Sequence, residues 1–213
     1  MFTEQDNLTF DRIVGARRSC RKFADHLPEP ELVTQVIEAG NKAPYAIASA
    51  KDVDVFRHFY VLYRGNPMIP PIHRRIREQS GREAERIHLE METDPVVKEY
   101  GDALANMRAL VAREGVVPLE NPPCLIILAE WRGARKAEKQ DHAHTLENMW
   151  LKATALNMGM VIVSLFEGLT DDDEFCDMLK LPAGKYGFHA CILGYPESDI
   201  PEAKRVTSQI HWL

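Results

Sequence analysis

The sequence predicts a mixed α and β fold in a single domain, and three observations support this. Segments with the apolar spacing of amphipathic helices alternate along the chain with short runs of β-branched and aromatic residues. No internal repeat or low-complexity segment interrupts this alternation. The length of 213 residues is enough to bury one sizeable core.

The first half of the chain contains two predicted helices, one predicted strand and a long charged segment. Residues 8–17 and the stretch "PEPELVTQVIEAG" have helical spacing, with prolines at the start of the second helix and Gly40 near its end. The stretch "HFYVLYR" predicts a strand. Residues 66–118 predict a charged helical insert: a solvated or partner-facing helix that Gly81 could interrupt, then a second helix that packs on another element.

The second half predicts a core of strands around one long helix. "NPPCLIILAE" and "FHACILGYP" are typical of buried strands, and "MVIVSLF" indicates a buried strand or an apolar loop entry. In "TDDDEFCDMLKLP" we expect Thr170 to cap a short helix, with Asp173 three residues later. The central helix has an apolar stripe made of Leu146, Met149, Trp150, Ala153 and Leu156.

Composition argues against several classes of protein. A net charge of −6 lacks the broad basic face that nucleic-acid binding requires. No apolar run is long enough to span a membrane, and the first residues lack the features of a secretory signal, so we expect a cytoplasmic protein. The four cysteines form no C-x-x-C pair and are expected to be reduced and structural. His142 and His144 point apart on a helix, so no metal site is predicted.

A basic stretch, "GARRSCRKF", follows the first helix of this acidic chain. Its arginines Arg17, Arg18 and Arg21, with the hydroxyl of Ser19, are the donors that a phosphate monoester prefers. The alternative is an ordinary solvated basic turn. The later pair Lys204-Arg205 adds to an anion site only if the tail folds back beside this stretch.

The stretch "SLFEGLTDDD" is a second candidate site. An apolar run leads into Glu167 and Gly168 just before a predicted helix, and a glycine allows a ring to approach the backbone closely. Such a turn could hydrogen-bond a planar heterocycle, or it could be an ordinary loop. Neither a P-loop, a G-x-S-x-G elbow nor a G-x-G-x-x-G fingerprint occurs in the sequence.

Taken in order, these segments resemble the FMN-dependent nitroreductase family. "RRSCRKFADHLPEPELVTQVIEAGNKAP" is similar to the opening of that family. "NMWLKATALNMGMVIVSLFEG" is similar to its central helix and flavin-facing strand, and "LPAGKYGFHACILGYPES" to its closing segment. The matches cover roughly the first fifty and the last seventy residues.

The resemblance implies an α+β sandwich over residues 1–213, with a mostly antiparallel sheet flanked by helices, in an intertwined homodimer with flavin sites at the subunit interface. It implies an FMN-dependent oxidoreductase that takes hydride from NADH or NADPH and reduces a nitroaromatic, quinone or related conjugated acceptor by a ping-pong cycle. No catalytic side chain is assigned, since the hydride chemistry belongs to the flavin. The residues implied to hold FMN are Arg17, Arg18, Ser19 and Arg21, the turn residues Pro44 and Tyr45, Leu165, Glu167 and Gly168 at the ring, and Lys204 and Arg205 at the phosphate.

Three departures from the family pattern leave other functions open. Tyr45 and Ala48 replace the usual serine and asparagine, Leu165 replaces a frequent proline, and residues 66–118 match nothing in the family pattern. One alternative is a flavin-binding or flavin-processing protein of the same fold without NAD(P)H-dependent turnover. Another is an interaction module whose charged segment binds a protein partner without a cofactor.

Overall fold

The computed structural model describes residues 1–46, 55–133, 137–201 and 206–213. Over these residues the strands are β1 (Arg57–Tyr63), β2 (Cys124–Trp131), β3 (Gly159–Val163) and β4 (Tyr186–Gly194). The helices are α1 (Glu4–Ala16), α2 (Pro30–Asn41), α3 (Ile69–Thr93), α4 (Pro95–Glu114), α5 (Val117–Glu120), α6 (Glu138–Ala155) and α7 (Asp173–Leu179), and a 3-10 helix (Ser164–Leu169) joins β3 to α7.

The strands form one antiparallel sheet in the order β1-β2-β4-β3. The mixed class that the sequence pattern predicts and the antiparallel sheet flanked by helices that the resemblance implies are therefore confirmed. β1 and β3 are the edge strands. The basic stretch extends the β3 edge, because Ser19 forms a parallel bridge with Met160, and Phe23 forms an antiparallel bridge with Pro196 beyond β4.

The sheet is buried on both faces, which explains the unbroken apolar run of β2. Leu125, Ile127 and Ala129 face a core layer shared with α3, the 3-10 helix and α7. The residues between them, including Ile126 and Leu128, face a second layer built by α2 and α6. This alternation follows from the period of two along a strand.

The charged insert is a helical hairpin made of α3 and α4. Gly81 does not interrupt α3, contrary to the expectation from sequence, and the polar-looking helix also buries one face, since Ile72 and Ile76 are fully buried. The predicted second helix packs against the first: at Gly101 of α4, an added Cβ would lie 2.9 Å from Cγ of Met91. No helix in the described ranges has the length and apolar character needed to cross a bilayer.

The cap of α7 differs from the prediction by two residues. Asp172, not Thr170, has the extended backbone of a cap, and its Oδ1 accepts a hydrogen bond from the Phe175 N–H at 2.9 Å. Thr170 has helical backbone angles and instead donates its hydroxyl hydrogen bond to the Glu167 carbonyl at 3.1 Å. Thr170 therefore completes the preceding 3-10 helix and does not cap α7.

Candidate functional site

The basic stretch lies along the outer edge of β3. The Cys20 N–H donates to the Met160 carbonyl at 3.0 Å, and Cys20 is buried. Gly159 makes this close approach possible, since an added Cβ there would lie 2.5 Å from Cβ of Cys20. Pairing with the sheet therefore fixes the positions of the arginines on either side of Cys20 along the edge of β3.

Two of these arginines are held against α6. The Arg17 guanidinium lies 4.7 Å from the ring centre of Trp150, and its Nε is 3.0 Å from a carboxylate oxygen of Glu147. Trp150 donates its indole N–H to the Arg18 carbonyl at 3.1 Å. Arg18 donates from one terminal nitrogen to the Arg17 carbonyl, while its buried Nε has no partner among the described residues. Arg18 therefore retains a donor for a ligand.

Arg21 and Leu165 meet at one cavity beside β3. The cavity measures about 270 Å³, just below the roughly 300 Å³ at which typical ligand pockets begin. Its walls combine the arginines Arg21 and Arg108 with mostly apolar side chains. The apolar members come from β3, α4 and the segment around α5: Met107, Val111, Val116, Pro118, Val161, Ile162 and Val163. The charged insert thus supplies one wall of the cavity at which two predicted site residues converge.

Glu167 and Gly168 lie next to that cavity in the 3-10 helix, but face other depressions. The Glu167 carboxylate borders a polar pocket of about 160 Å³ that also contains His142. Gly168 borders an open surface pocket of about 550 Å³, and an added Cβ there would lie 2.9 Å from Cγ of Gln79. Glycine therefore allows α3 to approach this turn closely.

Pro44 and Tyr45 lie at the opposite edge of the sheet. The Tyr45 ring packs on Phe56 with centroids 4.5 Å apart, and Phe56 accepts a backbone hydrogen bond from Trp131 at the start of β1. Because three strand spacings of about 4.8 Å separate the two edges, roughly 14 Å lies between them across the sheet. One chain therefore does not bring these residues to the cavity of Arg21. Lys204, Arg205 and Ala48 lie outside the described residues.

A buried ionisable cluster, which sequence reasoning missed, lies between β1, β2, β4 and α6. Arg57 and Glu130 pair at 2.7 Å and are almost fully buried. Burial raises the pKa of Glu130 to about 7, although the Arg57 guanidinium opposes the shift. Burial also lowers the pKa of His142 to about 3, and the ring of His142 lies 5.2 Å from that of His189. The only signal in the sequence was a glutamate ending an apolar strand.

The described side chains suit a phosphate-bearing planar cofactor better than a metal. Arginines with available donors and an apolar wall at Leu165 match the phosphate and the ring of a flavin mononucleotide. Within the residues that the structure describes, no three His, Cys, Asp or Glu side chains are arranged to hold a metal ion. The four cysteines are buried and free, as expected.

Comparison with known proteins places this architecture in one family. The model of the nitroreductase family matches residues 14–195. A nitroreductase with bound FMN from Bacteroides fragilis NCTC 9343 is 18% identical with a TM-score of 0.69, over 96% of this chain and 97% of that one. A nitroreductase with bound FMN from Desulfitobacterium hafniense DCB-2 is 18% identical with a TM-score of 0.62, over 100% of both chains. An FMN-dependent nitroreductase from Clostridium difficile R20291 is 15% identical with a TM-score of 0.65, over 97% of this chain and 100% of that one.

Comparison with curated proteins gave no significant match. The family model nevertheless spans most of the chain, and the similar structures share its fold over almost their whole length. The chain therefore belongs to the nitroreductase family.

Proposed function

We propose that this protein is an FMN-dependent oxidoreductase that takes hydride from NADH or NADPH and reduces a nitroaromatic, quinone or related conjugated acceptor in a ping-pong cycle. The observation that carries the proposal is the cavity at which Arg21 meets the apolar chain around Leu165. Three of the similar structures contain bound FMN, and this supports the choice of cofactor.

Each part of the site contributes a distinct interaction. Arg18, Ser19 and Arg21 are proposed to bind the phosphate and ribityl chain, with Lys204 and Arg205 from the tail completing the cationic grip. Arg17 orients this stretch through Trp150 and Glu147. The backbone around Leu165, Glu167 and Gly168 would lie along the ring. When bound, FMN supplies the hydride chemistry itself, so no acid–base triad is required.

The site also favours a homodimer. Pro44 and Tyr45 lie at the β1 edge while Arg21 lies at the β3 edge, so a second copy is needed to bring both halves to one flavin. Helix α1 supports this proposal, because it contains no buried residue and exposes Phe10. A soluble helix that buries no apolar face in one chain commonly does so against a partner.

A second candidate function is flavin binding without NAD(P)H-dependent turnover. The observation that favours it is the position of Tyr45, which packs on Phe56 where the family pattern has a serine. The two candidates share the cofactor site and differ only in whether a reduced nicotinamide reduces the flavin.

Anaerobic reduction of the FMN-loaded protein tests the proposal. We expect NADH or NADPH to bleach the flavin absorbance, and a quinone or nitroaromatic added afterwards to restore it. Bleaching by dithionite but by neither nucleotide would favour the second candidate instead.

Substitution of Arg21 tests the location of the site. Arg21→Ala removes a charged hydrogen-bond donor, whose loss of about 1.5–3 kcal/mol corresponds to roughly 10–100-fold weaker FMN binding. The matched control is Arg12→Ala, which removes an exposed arginine from α1. Equal affinities of the two variants would show that the flavin phosphate binds elsewhere.

A further inference from the structure

We propose that His189 and Lys139 are positioning residues for the flavin site, because together they fix the carboxylate of Glu167 and with it the turn at Glu167 and Gly168. This inference rests on the proposed function. It assigns a role to two residues that the sequence did not single out.

The two oxygens of the Glu167 carboxylate have separate partners from separate elements. Oε1 lies 2.9 Å from Nε2 of His189 on β4. Oε2 lies 3.1 Å from Nζ of Lys139 in the first turn of α6. A hydrogen bond also acts on the backbone, since the Thr170 hydroxyl donates to the Glu167 carbonyl at 3.1 Å. The 3-10 helix is therefore tied to a strand and to a long helix through one side chain.

His189 contacts Glu167 from a mostly buried position. Its side chain is only 12% exposed, and burial lowers its pKa, which Lys139 lowers further and Glu167 partly restores. Its Nε2 faces Oε1 of Glu167 at 2.9 Å. The buried Nδ1 has no partner in the described part of the chain. His189 thus presents Nε2 to the Glu167 carboxylate.

Gly168, which follows Glu167, has no side chain that could fix its position by packing or hydrogen bonding. Gly168 is exposed, and the space beyond its Cα is limited by Gln79 of α3. The buried side chains of Phe166 and Leu169 hold the 3-10 helix in the core, and the anchors of Glu167 add to the orientation of the peptide between Glu167 and Gly168. A mobile Glu167 would leave the ring edge of a bound flavin without a fixed backbone contact, so affinity and electronic tuning of the flavin would both change.

His189→Phe keeps a buried ring and removes the nitrogen that contacts Glu167. We expect the dissociation constant of FMN from the apoprotein to rise about fivefold, as loss of one anchor of the Glu167 carboxylate predicts, and the midpoint potential of bound FMN to shift. His189→Gln, whose amide offers a donor at a similar distance, should restore most of the affinity. His144→Phe is the matched control, because His144 is exposed on α6.

Lys139→Met tests the same anchoring of Glu167 at an exposed residue, where the substitution does not disturb the core. Since the Lys139 side chain is 71% exposed, the variant should fold normally and raise the dissociation constant only about twofold to fivefold. If His189→Phe and Lys139→Met lowered the melting temperature but left the FMN affinity and potential unchanged, the pair would be merely structural and the inference overturned. A wild-type protein that binds no FMN would overturn the proposed function itself, and the inference with it.

Discussion

At the scale of single residues, the buried ionisable cluster shows how far burial changes ordinary chemistry. Glu130 and Arg57 lie opposite each other in register on β2 and β1, and both point into the layer of α2 and α6. The neighbouring Asp141 side chain raises the pKa of Glu130 further. Asp141 in turn accepts from the Ala46 N–H at 3.0 Å, so the cluster adjoins the turn of Pro44 and Tyr45.

This cluster predicts a pH dependence of stability. The pKa of Glu130 is about 7 in the folded chain against an ordinary 4.5, so its contribution to stability is complete below pH 4.5 and is lost as the pH rises through 7. The pKa of His142, about 3 against 6.5, acts in the opposite direction, and its contribution is complete above pH 6.5. Above pH 6.5 the contribution of His142 to stability is therefore constant, and any further change in stability reports the ionisation of Glu130.

We expect the melting temperature of the wild type to fall as the pH rises from 6.5 through 7, and that of Glu130→Gln to fall less. The amide replaces the carboxyl at nearly constant volume and cannot ionise. Glu114→Gln is the control, since that glutamate is exposed on α4. Parallel pH profiles for the wild type and Glu130→Gln would contradict the assignment.

The roles of individual residues were the part of the site that the sequence predicted least well. The spacing of the basic stretch predicted donors for an anion, yet it could not show that Arg17 packs on Trp150, because that contact spans most of the chain. Lys139, His142 and His189 have ordinary sequence surroundings. Only the fold brings Lys139 and His189 to Glu167, and His142 to His189.

At the scale of elements, the packing of α2 on α6 depends on a glycine. Gly40 lies in the last turn of α2, and an added Cβ would lie 2.7 Å from Cγ of Met149. Met149 is fully buried in the apolar stripe of α6 that the sequence predicted. Such overpacking forces a core side chain or the backbone to move.

Gly40→Ala is therefore expected to destabilise the protein by about 1–3 kcal/mol, measured by denaturant unfolding. Gly15→Ala is the matched control in α1, where an added Cβ meets no atom within 4 Å. That change should be neutral or stabilising by up to about 1 kcal/mol, because alanine is the better helix former. Equal effects of the two substitutions would contradict the packing of α2 on α6.

Elements with a strong apolar period were predictable, and those set by tertiary contacts were not. The strand of residues 124–131 and the stripe of α6 followed from sequence pattern alone. Helix α3 looked solvated because isoleucines spaced along it are separated by many charges, yet those isoleucines enter the core. The cap of α7 was misassigned because a 3-10 helix, which sequence pattern does not predict, engages Thr170 first.

At the scale of the whole molecule, the two halves of the proposed flavin site occupy opposite sheet edges. We expect the protein to sediment as a dimer with twice the chain mass of 24.2 kDa. Phe10→Glu places a charge on the exposed apolar face of α1 and should weaken the dimer and FMN binding together. A wild-type monomer that binds FMN fully would contradict the two-chain site.

The other proposals depend on FMN binding at the cavity of Arg21 and Leu165. The most direct measurement is the absorbance spectrum of the freshly purified protein, followed by heat release and identification of the bound small molecule. We expect flavin bands and about one FMN per chain, with roughly 10–100-fold weaker FMN binding in Arg21→Ala. A colourless protein that cannot be reconstituted with FMN would contradict this expectation.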